Sequence, residues 1–449
     1  MKQIFYKRPS YFLDRREFVK DNRRLLYFSA LLFICALLAR SWEHFLYPGF
    51  YVEDASYYFK LNYDSQFEIT HIFRNPNGYL NVFNNFMAQI IGKLDIVLQA
   101  YAYLAVACIA CVTTVIMLSR SGLVKNRYIL LVMPLAIGLS GINHIFYYTT
   151  LTFQMYLLVI TLFVILLREP ERTLPMTILT MAVIAVLVWS GPYSVLAVPF
   201  AIGFLVLFRG KNLVMLWTIL VTIAYVLTTT GKVGSGIVPD YLFSGKIQHL
   251  WFETILFDVL FMGFREGVLN VEKIALVALI LGPTLYLIRH DTLHLRILLL
   301  LAIVIFATPA PLLLTNKYFL YRDVFPCHIL TAQVAWVLFV LIVLDRLLER
   351  IKDSYREVAG ITVMAAIALF VIADNIKHPS KGKTIILYNT REFLQTIKEY
   401  EGHDLKKTNE NVVISADGLE IFDPVAKVGS RSKDAVTIKN IRIPQHKRP

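Results

Sequence analysis

The stretch that sets the fold is LDIVLQAYAYLAVACIACVTTVIML, residues 94–118, in which only Asp95 is charged. About 17–25 mostly apolar residues are enough to cross a bilayer as an α-helix. Ten more apolar runs lie near 25–40, 127–143, 151–167, 174–190, 192–208, 213–229, 272–288, 295–314, 324–344 and 357–373. The sequence therefore predicts an all-α polytopic membrane protein with about 11 transmembrane helices.

The composition points to the same class of protein. Hydrophobic residues make up 57% of the chain and charged residues 17%, and the mean hydropathy is +0.57. Soluble domains carry about 25% charged residues. The formal charge of +13 is distributed by membrane side rather than in a basic patch, so no nucleic-acid partner is expected. Four cysteines are too few for a disulfide framework and are predicted to be small buried side chains.

The distribution of Lys and Arg predicts the orientation. With a cytoplasmic N-terminus, the inside segments hold 21 basic residues, and the much longer outside segments before the tail hold 8. Cytoplasmic loops carry an excess of Lys and Arg. Loops 41–93 and 230–271 and the tail are therefore expected on the extracytoplasmic side. No small-residue cleavage site follows the first apolar run, which is interpreted as an uncleaved anchor.

Two parts of the chain are expected: a membrane domain, 1–375, and a small extracytoplasmic domain, 376–449. Within loop 41–93, GYLNVFNNFMAQIIGKL (78–94) has apolar residues at helical spacing, which predicts an amphipathic helix in the headgroup region. Loop 230–271 contains either a second interfacial helix or a further crossing, which would raise the count to 12 or 13. In the tail, NVVISADGLEIFD (411–423) predicts a β-hairpin, and the tail as a whole is expected to be α+β.

Chemistry-bearing residues follow the first apolar run. YVEDASYYF (51–59) contains an adjacent pair of acids, Glu53 and Asp54, among aromatic residues. Neighbouring side chains point in different directions, so one acid could act on a substrate while the other holds a nearby cation. The aromatic rings suit either sugar stacking or an interfacial belt.

These segments resemble the GT-C superfamily of polytopic glycosyltransferases. The resemblance rests on the acidic pair, the aromatic cluster, a Gly-Tyr opening an interfacial helix in NPNGYLNVFNNFMAQI (75–90), and a polar patch in INHIFYYTTLTFQMYLL (142–158). It covers about the first 160 residues; Ala55 and Leu151-Thr152 depart from the family's pattern. It implies transfer of a hexosyl or pentosyl group from a polyprenyl-phosphate donor to a glycan or glycolipid acceptor. The setting would be the outer face of a bacterial inner membrane, with modification of lipopolysaccharide O-antigen or a similar envelope glycan.

The resemblance also implies roles for individual residues. The loop acid, Asp54 or Glu53, would take the proton from the acceptor hydroxyl. Cations would stabilise the departing phosphate, and Arg322, Arg74 and Lys317 are the candidates at headgroup depth. Candidate sugar or acceptor ligands facing the same side are Tyr57, Tyr58, Asn75, Tyr79, His144, Tyr148, Gln154, Tyr321 and Asp323. Nothing in the sequence requires a cofactor. A divalent metal ion stays an open alternative that no residue pattern supports.

Two alternative functions remain. An O-antigen polymerase or ligase would act on lipid-linked oligosaccharide, but such proteins usually carry a large Arg-rich late loop, and loop 230–271 has only Lys232, Lys246 and Arg265. A lipid or sugar transporter would place charges at mid-membrane and show inverted repeats. The apolar runs here contain almost no ionisable residues and no repeat is visible.

Overall fold

The computed structural model describes residues 15–46, 67–74, 79–94, 96–139, 154–167, 173–208, 213–230, 291–308 and 329–377, three tail strands, and isolated positions between them. The helices are α1 (Arg15–Asp21), α2 (Arg23–Leu46), α3 (Ile69–Ile72), α4 (Val82–Ile91), α5 (Ile96–Ser119), α6 (Arg127–Leu139), α7 (Gln154–Leu166), α8 (Leu174–Val188), a 3₁₀ turn (Pro192–Leu196), α9 (Ala197–Phe208), α10 (Leu213–Thr230), α11 (Thr292–Ala307), α12 (Leu330–Glu349) and α13 (Asp353–Lys377).

Three of the described helices are long and apolar enough to cross a membrane: Leu98–Ser119, Leu330–Glu349 and Asp353–Ile372. Seven shorter apolar helices of 10–17 residues accompany them. The described helices coincide with ten of the apolar runs, and the run at 272–288 lies almost wholly outside the described residues. This architecture is compatible with a helical membrane protein, and the count of 11 crossings stays a prediction.

Burial separates central helices from peripheral ones. Helix α7 buries almost every residue because it is apolar all round and packs against α5, α8, α9 and α12. In α12, 83% of the 18-residue apolar stretch is buried inside the protein, whereas in α13 only 11% of the corresponding stretch is buried. The outer helices expose large apolar side chains such as Leu174, Leu227 and Leu369. Such surfaces fit a lipid environment rather than water. Cys35 is also exposed, so the expectation that this cysteine is buried is wrong.

The helix ends gather into two groups. We call the first the Asp345 end: Asp345 near the end of α12 accepts hydrogen bonds from the backbone N–H groups of Lys125 (3.1 Å) and Asn126 (2.6 Å), just before α6. Arg127 of α6 pairs with Glu357 of α13 at 2.5 Å. Segments 119–126 and 345–356, which the sequence assigns to one side of the membrane, therefore meet at one end of the helix bundle.

A buried ionic cluster lies at the Asp345 end. Arg346 donates to Asp345 at 2.5 Å and also pairs with Glu349. The start of α11 is nearby, where Asp291 caps the helix and holds His294 Nδ1 at 2.8 Å. Burial first, and then the positive charge of Arg346, lower the pKa of His294, and the bond to Asp291 offsets this only in part. Burial raises the pKa of Asp291, but its hydrogen bonds from His294 outweigh that effect, and the net shift is downward.

The second group, which we call the Asn84 end, contains segments that the sequence assigns to the opposite side. The Tyr101 hydroxyl donates to the carbonyl oxygen of Leu46 at 3.0 Å, which joins the start of α5 to the end of α2. The backbone N–H of Val82 donates to the carbonyl oxygen of Trp189 at 2.9 Å, which joins α4 to the end of α8. The predicted alternation of segments between two ends therefore agrees with these contacts.

The tail contains a three-stranded antiparallel sheet in the order β2-β1-β3, with β1 at Asn411–Ser415, β2 at Gly418–Phe422 and β3 at Val436–Ile438. Ser415 pairs with Gly418, so Ala416 and Asp417 connect the first two strands. This is the hairpin that the alternating sequence predicts. The interpretation of 376–449 as an extracytoplasmic α+β domain stays a prediction.

Candidate functional site at the Asn84 end

Helix α4 is amphipathic, as its spacing predicts, but its polar side faces the protein interior. Asn84, Asn85 and Gln89 are buried, whereas Phe86 and Ile90 are 41% and 47% exposed. Buried amides need hydrogen-bond partners, and each of these three side chains finds them on a neighbouring segment. The outward apolar side suits an interfacial helix in contact with lipid.

The first part of this polar face binds Tyr58 and the start of α7. Asn81 caps α4 by accepting from the backbone N–H of Asn84 at 3.3 Å, and its Nδ2 donates to the Tyr58 hydroxyl at 3.1 Å. Asn84 Nδ2 lies 3.4 Å from the same hydroxyl and donates to the carbonyl oxygen of Leu151 at 3.0 Å. Three distant segments of the chain therefore meet around Asn84.

The second part of the face holds residues 67–74. Gln89 makes two bonds to the backbone of Glu68: its Nε2 donates to the carbonyl oxygen at 2.9 Å, and its Oε1 accepts from the N–H at 3.1 Å. Asn85 Nδ2 donates to the carbonyl oxygens of Ile72 and Arg74, both at 3.0 Å. The short helix α3 is thus held at both ends.

Both ends of α4 are fixed as well. The backbone N–H of Phe83 donates to Ser190 Oγ at 3.0 Å, next to the Val82–Trp189 bond. At the other end, a Cβ on Gly92 would overlap the backbone carbonyl of Asn62. Asn62 Nδ2 in turn donates to the carbonyl oxygen of Tyr58 at 2.7 Å. Glycine at 92 is therefore required for the close approach of the first loop.

The exposed edge of the site carries an ionisable group of three. Glu68 Oε2 lies 3.0 Å from His71 Nε2, and Arg74 Nη2 contacts the same ring nitrogen. His71 is buried, whereas Glu68 and Arg74 are exposed. Arg74 is thus a cation with a fixed backbone and an exposed side chain, one end of which contacts His71. Chemically, such a group can bind a phosphate or another oxyanion.

Four of the sequence-predicted site residues lie in the described part of the chain. Arg74 is exposed at the edge of the site, and Tyr58 is buried with its hydroxyl bonded to Asn81. Tyr79 is half-buried against the core, and Gln154 is buried at the first turn of α7. The other predicted site residues lie outside the described residues: Glu53, Asp54, Tyr57, Asn75, His144, Tyr148, Lys317, Tyr321, Arg322 and Asp323.

The amides that organise the site were not singled out from the sequence. Their signal was present in NVFNNFMAQ, where Asn81, Asn84, Asn85 and Gln89 recur at the spacing of one helix face. The apolar residues of the same segment follow helical spacing too, so the pattern alone did not say which side faces inward. Ser190 carried no local signal. Among the described residues there is no group of three or more His, Cys, Asp or Glu side chains that could hold a metal ion.

Comparison of the chain with protein-family models, curated proteins and solved structures finds no match.

Proposed function

We propose that the protein is a polytopic membrane glycosyltransferase. It moves a hexosyl or pentosyl group from a polyprenyl-phosphate donor to a glycan or glycolipid of the cell envelope. The reaction takes place at the Asn84 end, which faces away from the cytoplasm across a bacterial inner membrane. The tail lies on the same side.

One observation carries the proposal: the segments that resemble the GT-C pattern are brought together by hydrogen bonds. Tyr58 of the first loop, helix α4 and Leu151 at the start of α7 meet at Asn84. Asp54 is four residues before Tyr58 in the sequence, and four residues span at most about 14 Å. We propose that the acidic pair acts beside this cluster.

The proposed chemistry assigns one role to the acid and another to the cations. A carboxylate, Asp54 or Glu53, takes the proton of the acceptor hydroxyl as its oxygen attacks the anomeric carbon. The bond from that carbon to the phosphate oxygen breaks, and polyprenyl phosphate leaves with the electron pair. Arg322, Arg74 and Lys317 stabilise the negative charge on the phosphate. The exposure of Arg74 at the edge of the site supports its place in this set.

The test is an assay of sugar transfer in membranes that contain the protein and a radiolabelled polyprenyl-phosphate sugar. Asp54→Asn, Glu53→Gln and the double variant are compared with wild type at matched expression. Loss of the general base should lower the rate by about 10²–10⁴. If both single variants and the double variant transfer sugar at the wild-type rate, the acidic pair is not the base.

A matched control acid is available at the other end of the helix bundle. Glu357 is 64% exposed and pairs with Arg127, and surface pairs contribute at most about 1 kcal/mol. Glu357→Gln should therefore keep full activity.

The mass of the envelope glycan after gene deletion identifies the product: loss of one sugar supports the proposal, and loss of whole oligosaccharide units supports a polymerase or ligase instead. An unchanged glycan with altered lipid or sugar distribution supports a transporter.

A further inference from the structure

The segment 67–74 is held more firmly than an ordinary surface loop. Gln89 closes a two-bond ring with the backbone of Glu68, and Asn85 binds the carbonyl oxygens of Ile72 and Arg74. Both amides are at most 4% exposed. The backbone of Arg74 is therefore tied directly to helix α4, although the residue is exposed.

Besides the contact of Arg74 with His71, the segment that carries it exposes apolar side chains. Phe73 is 50% exposed and lies edge-on to Trp189 at 6.2 Å, and Phe67 is 50% exposed and lies edge-on to Phe86 at 6.5 Å. A fixed cation beside exposed hydrocarbon surface suits an amphiphile with a negatively charged head. A soluble anion would have no use for the apolar part of this surface.

We propose that Asn85 and Gln89 are positioning residues that hold Arg74 where its guanidinium binds the phosphate of a lipid-linked substrate. The identity of that substrate as the sugar donor rests on the proposed function; the binding geometry does not. Binding groups must be held to within about 0.5 Å of their productive positions. The two amides achieve this by fixing the backbone at Glu68, Ile72 and Arg74 itself rather than by touching the ligand.

The test uses farnesyl phosphate as the probe and farnesol as its phosphate-free counterpart, with protein purified in detergent. Arg74→Gln should weaken farnesyl phosphate binding at least about tenfold, since it removes a charge-assisted bond. Asn85→Asp should weaken it by a similar factor, because a carboxylate cannot donate to the carbonyl oxygens of Ile72 and Arg74. Neither variant should change the binding of farnesol.

A double-variant cycle separates positioning from general damage. If Asn85 acts through Arg74, the Arg74→Gln/Asn85→Asp variant binds farnesyl phosphate as Arg74→Gln does, to within about twofold. Gln89→Met, which removes both bonds without adding charge, provides the same cycle if Asn85→Asp does not accumulate. Gln99→Met is the control, because Gln99 is an equally buried amide that donates to the carbonyl oxygen of Leu94 outside the site.

Three results would overturn the proposal. The first is a double variant in which the fold-losses of farnesyl phosphate affinity from the two single substitutions multiply. The second is a loss of farnesol binding as large as the loss of farnesyl phosphate binding. The third is wild-type protein that binds farnesyl phosphate no better than farnesol. Failure of the proposed function is a separate outcome. If the binding cycle gives the expected result but wild-type protein transfers no sugar, the positioning role stands and the glycosyltransferase proposal is rejected. If wild-type protein transfers sugar but the cycle fails, the glycosyltransferase proposal stands and the positioning role is rejected.

Discussion

Asp345 accepts a 2.6 Å hydrogen bond from the backbone N–H of Asn126, which is 219 residues earlier in the chain. The same carboxylate receives the N–H of Lys125 and the guanidinium of Arg346. A buried side chain thus satisfies the two backbone N–H groups just before α6 and, together with Glu349, pairs with a buried cation.

Asp345→Asn should destabilise the protein by about 3 kcal/mol, because it leaves Arg346 with one fewer counter-charge in a buried place. SDS-induced unfolding in mixed micelles measures the change. Asp353→Asn is the matched control, since Asp353 is 88% exposed in its pair with Arg356 and should cost less than about 1 kcal/mol. Equal losses in the two variants would contradict the role of Asp345.

Acid should weaken the same region through His294. Its pKa is lowered by burial and by Arg346, so the neutral ring contributes stability that is complete above the ordinary histidine pKa. That contribution is lost as the pH falls through the lowered pKa. The lowered pKa of Asp291 acts in the same direction further into the acid range. Melting temperatures from pH 7.5 downward should fall, and His294→Gln should flatten the upper part of that dependence; an unchanged slope would exclude His294 as the cause.

Tyr58→Phe tests the link between the first loop and α4. Without the hydroxyl, Asn81 Nδ2 keeps only the weak contact with the Met155 sulfur at 4.0 Å. We expect a loss of about 1–2 kcal/mol in the free energy of unfolding. Tyr101→Phe removes a hydrogen bond of similar length from a side chain that is 40% exposed, and it should cost less.

Gly92→Ala tests the close approach of the first loop to the end of α4. The added methyl group overlaps the backbone of Asn62, so the loop must move, at a cost of about 1–3 kcal/mol. Gly282→Ala is the control, because no atom of the described residues lies within 4 Å of a Cβ there. Sugar transfer and thermal stability should both fall for Gly92→Ala and stay unchanged for Gly282→Ala.

Labelling tests the sidedness of the two ends. In a background without the native cysteines, Lys93→Cys at the Asn84 end should react with a membrane-impermeant maleimide in spheroplasts. Lys125→Cys at the Asp345 end should react only after permeabilisation. Both lysines are exposed, so access should depend on the membrane side alone. Reaction of both positions from the same side would contradict the orientation.

The positions of ten described helices, α2 and α5 to α13, followed from hydropathy, since an apolar run of sufficient length has few other stable structures in lipid. Several are shorter than their runs: α7 covers Gln154–Leu166, whereas the apolar run spans 151–167. The hairpin in the tail followed from two alternating runs separated by ADG (416–418) in the sequence. The inward polar face of α4 did not follow, because its partners are backbone groups of segments that are distant in sequence.

The candidate site was predicted less completely than the fold. The sequence indicated that Arg74 belongs to it, but the residues that fix Arg74 are neutral amides without a charge or metal-ligand signature. The bonds of α4 to Trp189 and Ser190 join residues more than a hundred positions apart. Such long-range pairs depend on how the helices pack, which a local pattern does not encode.

The hydrogen bond between Asn126 and Asp345 can form only late in the synthesis of the protein. Residue 345 leaves the ribosome 219 residues after residue 126, a delay of about 10–40 s at ordinary rates of synthesis. Until then, the backbone N–H groups of Lys125 and Asn126, just before α6, must rely on water or lipid headgroups. Chains cut short before residue 345 would therefore enter the membrane with this junction still open and be ready targets for quality-control proteases.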